Sequence, residues 1–166
     1  MSSPPEFALS RLLERLVQAG VDFVVIGGVA VIVQGSPRFT KDLDICYATD
    51  GANLDRLGRL LVDLDARLRG INEDLPFVPD GRALRQTAML TLTTREGDID
   101  LLVDPPGSPG YPALKRNASR IDLGGYVVLV ASIDDLIAMK SATGRPQDIV
   151  DLESLEIARR RLRHRD

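Results

Sequence analysis

Chemistry in this sequence rests on Gly27-Gly28, Asp42-Leu43-Asp44 and Asp98-Ile99-Asp100. Glycines at a strand-to-helix turn let backbone N–H groups approach a polyphosphate, and the helix N-terminus adds partial positive charge. Aspartates at i and i+2 on a strand point to one side, so Asp42 and Asp44 share a face, as do Asp98 and Asp100 on a later strand. Such carboxylates suit Mg²⁺, which takes hard oxygen ligands and bridges one or two carboxylates to substrate phosphates. Two such ions about 4 Å apart stabilise both the attacking and the leaving oxygen of an in-line displacement. Asp42, Asp44 and Asp100 are the three expected to converge. Asp98 competes with Asp100 for the third place, and Asp100 is preferred because Gly97-Asp98 also reads as the end of a hairpin turn. Asp104, before Pro105, reads as a strand-end turn residue. Arg38 and Lys41 stand just ahead of Asp42, where either contacts phosphate or neutralises the acidic excess; Arg38 is the preferred candidate.

The remaining inventory narrows the chemistry. Cys46 is the only cysteine and His164 the only histidine, which excludes disulfide frameworks, Cys/His zinc sites and paired haem ligands within one chain. Acid/base work therefore falls to carboxylates or metal-bound water. Cys46 reads as packing on a strand and His164 as an idle terminal side chain. A net charge of −3 over 166 residues argues against a global nucleic-acid or membrane-surface binder. The tail from Glu156 to Asp166 is the local exception: five arginines against two acids make it +3 and leave −6 on the other 155 residues. A basic stripe beside an acidic metal site suits an RNA acceptor, although such a tail is more often a solvated helix end. Aromatic residues are only 4% of the chain, so base-stacking platforms are scarce. No apolar run approaches the roughly 18 residues of a membrane span, and MSSPPEF does not resemble a signal peptide, so a cytoplasmic protein with no membrane partner is expected.

Hydrophobic patterning supplies the elements that must position these residues. Leu9, Leu12, Leu13 and Leu16 predict an amphipathic helix over 7–19, stopped by Gly20. A short apolar strand, 23–26, then leads through the Gly27-Gly28 turn to a short helix over 29–33, closed by Gly35. Residues 42–47 read as a half-exposed strand. Leucines at helical spacing predict a helix over 52–69, followed by a loop rich in Pro, Asp and Asn to about Gly81. Strands are expected at 89–94 and 98–103, joined through Arg95-Glu96-Gly97, then an irregular stretch through PPGSPGYP and a strand at 126–130. Ser132 reads as the N-cap of a helix running to about Thr143, stopped by Gly144, and Pro146 opens a last helix ending in RRRLRHRD. The fold class is α/β (α+β): a mixed, twisted β-sheet flanked by helices. Residues 1–166 form one domain, with a core over about 22–131 and C-terminal helices over about 132–163.

The order Gly27-Gly28, Asp42-Leu43-Asp44, then Asp100 between Ile99 and Leu101 resembles the nucleotidyltransferases of the DNA polymerase β superfamily. Their signature is a strand ending in Gly-Gly or Gly-Ser, about a dozen residues, Asp-x-Asp, and a later apolar-Asp-apolar strand. IGGVAVIVQGSPRFTKDLDI is most similar to the minimal bacterial group that includes AbiEii-type and MenT-type toxins and small antibiotic-modifying enzymes. Lys140, Arg145, Asp148 and Asp151 resemble that group's Lys…Arg-x-Lys-Asp-x-x-Asp motif, with Gln147 where a lysine is usual. The resemblance covers about residues 22–155.

It implies a polymerase-β-type core and an Mg²⁺-dependent nucleotidyltransferase, with two ions and Mn²⁺ as a substitute. Asp42, Asp44 and Asp100 would be catalytic and hold metal. Gly27, Gly28, Arg38, Lys140 and Arg145 would bind the nucleotide, and Asp148 and Asp151 would support Lys140 and Arg145. Lys140 and Arg145 also read as ordinary helix-end cations, and Asp148 as a favourable acid in a first helical turn. The partners implied are a nucleoside triphosphate such as ATP, an RNA or tRNA acceptor, and a cognate antitoxin. Alternatives are an antibiotic-modifying enzyme with a small-molecule acceptor, a protein AMP-transferase, and a nucleotide-binding module without turnover, which Gln147 mildly favours and the intact carboxylate trio opposes.

Overall fold

A computed structural model describes residues 5–36, 38–70 and 79–165. Helix α1 (Pro5–Gln18) ends where expected: Gly20 adopts φ 73°, and Gly20 N–H and Val21 N–H close on the carbonyls of Val17 and Leu16. This is the left-handed glycine stop, which gives carbonyls of the last turn a partner. Strand β1 (Phe23–Ile26) is buried on both faces and runs directly into α2 (Gly27–Val33). The expected glycine turn is therefore the first turn of the helix itself, with Gly27 at φ 66°.

Strand β2 (Asp42–Tyr47) alternates as its sequence requires, with Leu43 and Ile45 buried and Asp42 and Asp44 half-buried. It pairs antiparallel with β1 and parallel with β5 (Gly97–Leu102). Strand β4 (Met89–Thr94) forms the hairpin with β5, its turn reduced to Arg95-Glu96 because Gly97 already pairs with Thr94. Strand β7 (Val127–Val130) lies parallel to β1 on the other side. Among the described residues the sheet has seven strands in the order β3-β4-β5-β2-β1-β7-β6. Helices α6 (Ile133–Thr143) and α7 (Pro146–Arg163) pack on each other, and α2 packs on β1, β2 and α6. The mixed sheet with flanking helices is the class expected. Among the described residues no helix is long and apolar enough to cross a membrane.

Several expectations fail. Helix α3 (Gly51–Asp63) does not reach residue 69; Arg67–Leu68 form β3, antiparallel to Thr93 and Leu92 of β4. Asp65 takes φ 53°, and Asp65 N–H and Ala66 N–H bond the carbonyls of Val62 and Leu61. This is the same helix stop as at Gly20, made by an aspartate, which tolerates the left-handed region but does not signal it in a sequence. Short helices α4 (Gly81–Gln86) and α5 (Tyr111–Asn117) and strand β6 (Ser119–Asp122) were not expected. Each is too short to show a period; β6 is an edge strand that places only Ser119 and Ile121 partly under cover. The loop expected up to Gly81 falls largely on residues 71–78, outside the described residues.

Candidate active site

The parallel pairing of β2 with β5 sets Asp42 opposite Asp98 and Asp44 opposite Asp100. Period-two alternation puts all four on one face, so two Asp-x-Asp motifs 56 positions apart become a single carboxylate surface. Asp44 lies against the start of α2: a Cβ on Gly27 would overlap Asp44 Oδ2 and stand 2.8 Å from its Cγ. Gly27 thus fits its place for a steric reason, admitting the carboxylate to the helix backbone. A Cβ on Gly28 would come within 2.9 Å of Thr40 Oγ1 and 3.0 Å of Arg38 Nη1.

Burial, then the charge and hydrogen bond of Asp100 and the charge of Asp42, push the Asp44 carboxyl up to about 7. Burial raises Asp100 too, against the lowering effects of its contacts with Asp44 and Arg69. Asp44 Oδ1 is buried and accepts no hydrogen bond, and the buried Asp100 Oδ1 has only an ion-pair contact, Arg69 Nη2 at 3.1 Å. Among the described residues no three His, Cys, Asp or Glu side chains are gathered as they stand to hold one metal ion. The donor set nevertheless fits a hard divalent cation, since crowded carboxylates with unused lone pairs are what such an ion neutralises.

Sequence reasoning missed Arg69, which stands among these acids. Its nitrogens lie 3.6 Å from Asp42, 3.4 Å from Asp98 and 3.1 Å from Asp100. Nothing in the sequence marked it, because it falls in the segment read as the end of a helix.

Across the site, α6 and α7 supply the basic residues. Lys140 Nζ lies 3.2 Å from Asp148 Oδ1 and 3.0 Å from Asp151 Oδ2, and its side chain is only 9% exposed. Asp148 also accepts from Thr143 Oγ1 at 2.7 Å, Arg145 N–H at 2.9 Å and Arg145 Nε at 3.0 Å. Burial alone would raise the Asp148 carboxyl, but these bonds prevail and hold it well below the usual carboxylate range. Asp151 accepts from Arg38 Nη1 at 2.8 Å and Gln147 Nε2 at 3.0 Å. Gln147, in the place of a usual lysine, therefore donates to the same carboxylate without adding charge.

A cavity of about 380 Å³ joins the two groups. Asp44 and Asp100 lie along it with Gly27; Lys140, Thr143 and Arg145 contribute from the helices; Met89, Leu136 and Met139 form part of an apolar wall. Arg38 does not line it and instead ties the segment before β2 to α7. Cys46 is buried elsewhere, its thiol pushed up to about 11 by desolvation, and donates to the Val103 carbonyl. Two cations, a carboxylate face and an apolar wall in one cleft can together hold a polyphosphate and its cation against a second reactant.

Comparisons with known proteins bear on family and fold. The family model described as nucleotidyl transferase AbiEii toxin, type IV TA system, matches residues 11–156. The fold is similar to the lincosamide antibiotic adenylyltransferase LnuA, solved with lincomycin (TM-score 0.61, 15% identity, 90% of this chain and 94% of that one). It is also similar to the antibiotic-resistance factor ANT(2'')-Ia (TM-score 0.52, 14% identity, 95% and 90% covered). An antigenic nucleotidyltransferase-like protein from Paracoccidioides brasiliensis aligns at TM-score 0.51 and 21% identity, over 90% of this chain and 72% of that one. At these identities the likeness is one of fold. No curated protein matches the sequence.

Proposed function

The chain belongs to the AbiEii nucleotidyl transferase toxin family of type IV toxin–antitoxin systems and is a nucleotidyltransferase; from that premise we propose that it transfers a nucleoside monophosphate from a nucleoside triphosphate to a hydroxyl of RNA, tRNA foremost. The observation that carries this reading is the in-register pairing of Asp42-x-Asp44 with Asp98-x-Asp100 beside a cleft that also holds Lys140 and Arg145.

Asp42, Asp44 and Asp100 are the residues that would hold Mg²⁺, as one or two ions, with Mn²⁺ as a substitute. When bound, the cation neutralises the triphosphate and stabilises charge on the oxygens of the displacement. Gly27 and Gly28 present backbone amides to the phosphates. Lys140 and Arg145 face them from the opposite wall, with Asp148 and Asp151 fixing where those cations stand. Asp100 completes the site in which the acceptor hydroxyl is activated. The hydroxyl gives up its proton to a carboxylate of this face, its oxygen bonds the α-phosphorus, the bond from that phosphorus to the α–β bridging oxygen breaks, and pyrophosphate leaves. The chain's contribution is positioning and charge complementarity, the main demands of such transfers.

Helix α7 favours an extended acceptor. Arg145 precedes it at the cleft, and its other end carries exposed Arg160, Arg161, Arg163 and Arg165, about 25 Å away at 1.5 Å per residue. A polymer can touch both ends and a small molecule cannot. The apolar wall formed by Met89, Leu136 and Met139 favours a second reading, in which a small apolar-faced hydroxyl compound is the acceptor. A cognate antitoxin is the partner the family membership suggests.

Transfer of label from each α-³²P nucleoside triphosphate, with Mg²⁺, into total RNA, lysate protein and small-molecule fractions tests both readings. Label in RNA, absent with the Asp42→Ala/Asp44→Ala double variant, is the expected result. Label confined to the small-molecule fraction selects the second reading, and full transfer by the double variant overturns the site.

A further inference from the structure

Arg69 reaches the carboxylate face from outside the two strands that build it. It follows β3 directly, and its backbone N–H donates to the Thr91 carbonyl at 3.0 Å while Nη2 donates to the Leu92 carbonyl at 2.8 Å. Both carbonyls lie on β4, where Thr91 is the register partner of Asp100. So anchored, the guanidinium spreads three different nitrogens over three carboxylates: Nη1 toward Asp42, Nε toward Asp98 and Nη2 toward Asp100. Asp44 alone of the four acids on this face has no ion pair with it.

Asp42 and Asp100 are the carboxylates that a divalent cation needs, and their oxygens cannot serve two positive groups at full strength. An ion in contact with those oxygens sits next to the guanidinium, and the two repel each other at short range in a partly buried site. Asp98 is different. It is not among the carboxylates assigned to the cation above, lies on the same face one pleat along from Asp100, and gives Arg69 a carboxylate to keep.

We infer that Arg69 is a positioning residue: a resident counter-ion that holds Asp42 and Asp100 in register before a divalent cation binds, and that yields those two carboxylates to the cation while staying on Asp98. This rests on the assignment of Asp42 and Asp100 as cation ligands made above. It accounts for the doubled Asp-x-Asp motif, in which Asp98 serves the arginine and Asp100 serves the cation.

The test is Mn²⁺ binding alone, without nucleotide, followed by electron paramagnetic resonance on the full chain. Arg69→Gln removes the competing charge and binds Mn²⁺ at least about tenfold more tightly than the native protein. Arg69→Lys, which keeps the charge but reaches fewer carboxylates, binds with intermediate affinity and carries the test if the glutamine variant does not fold. The thermal midpoint of Arg69→Gln is lower than native without Mn²⁺ and rises more than the native midpoint when Mn²⁺ is added. A merely structural arginine gives the opposite, unchanged or weaker Mn²⁺ binding in both variants, and that result overturns the inference. If transfer depends on Asp42 and Asp44 while Mn²⁺ affinity ignores Arg69, the counter-ion role falls and the proposed function stands. If Arg69→Gln tightens Mn²⁺ binding in a protein that transfers nothing to any acceptor, the displacement stands and the proposed function falls.

Discussion

Two groups of charged residues flank the cleft, and they have opposite characters. In the knot between α6 and α7, Asp148 and Asp151 are matched by Lys140, Arg145, Arg38, Thr143 and Gln147, and Asp148 is held ionised well below the usual carboxylate range. On the face of β2 and β5, four aspartates meet one arginine, Asp44 Oδ1 is buried with no hydrogen bond, and the Asp44 carboxyl is pushed up to about 7. In the knot each carboxylate is matched by several donors, whereas the strand face carries charge that folding alone does not satisfy. Unsatisfied charge beside a cleft is the physical mark of a site built for something that binds.

The largest effects should separate the two groups most cleanly. Asp44→Asn is expected to reduce nucleotidyl transfer by at least about a thousandfold, equivalent to roughly 4 kcal/mol of barrier, while the thermal midpoint stays level or rises because a repelled charge is gone. A midpoint that falls with the activity would make Asp44 a structural residue and erase the contrast. Asp148→Ala should do the reverse to stability, costing about 3 kcal/mol in urea unfolding, since it leaves Lys140 buried without one of its two carboxylates.

Acid sharpens the same contrast. The Asp148 carboxyl has a lower pKa folded than unfolded, so its contribution is fully present above the unfolded value of 3.8 and is lost as pH falls below it toward the folded one. Native protein should therefore lose stability steeply below about pH 4, and Asp148→Asn should flatten that limb of the stability curve. An unchanged slope would show that the knot does not store this energy.

Smaller effects test the joins around each group. Gly27→Ala places a methyl group on Asp44 at a backbone φ of 66°, and should cost about 2 kcal/mol of stability together with most of the activity. Gln147→Lys exchanges a neutral donor to Asp151 for a charged one at the exposed start of α7, and should change stability by less than about 0.5 kcal/mol. Activity that rises in this variant would mean the missing lysine acts on nucleotide rather than on Asp151.

Reading the strands from the sequence succeeded where alternation is enforced by burial. Leu43 and Ile45 must go inside, so Asp42 and Asp44 must share the other face; spacing likewise put Asp148 and Asp151 on one helix face, while Lys140 and Arg145 joined them only through the family resemblance. The expectation for residues 52–69 failed because Leu64 and Leu68 keep helical spacing across a stop made by Asp65, a residue that gives no warning. That single error hid β3, and with it Arg69.

Local periodicity and the Gly-Gly, Asp-x-Asp and late Asp motifs thus determined the fold class, the family resemblance and the carboxylates, because side-chain period and residue chemistry are properties of neighbours in the chain. The register that sets Asp44 beside Asp100, the steric need for Gly27 and the arginine brought in over the sheet edge were decided only by tertiary structure. Each depends on backbone pairing between segments far apart in sequence, and no spacing along the chain encodes which residues such pairing brings face to face.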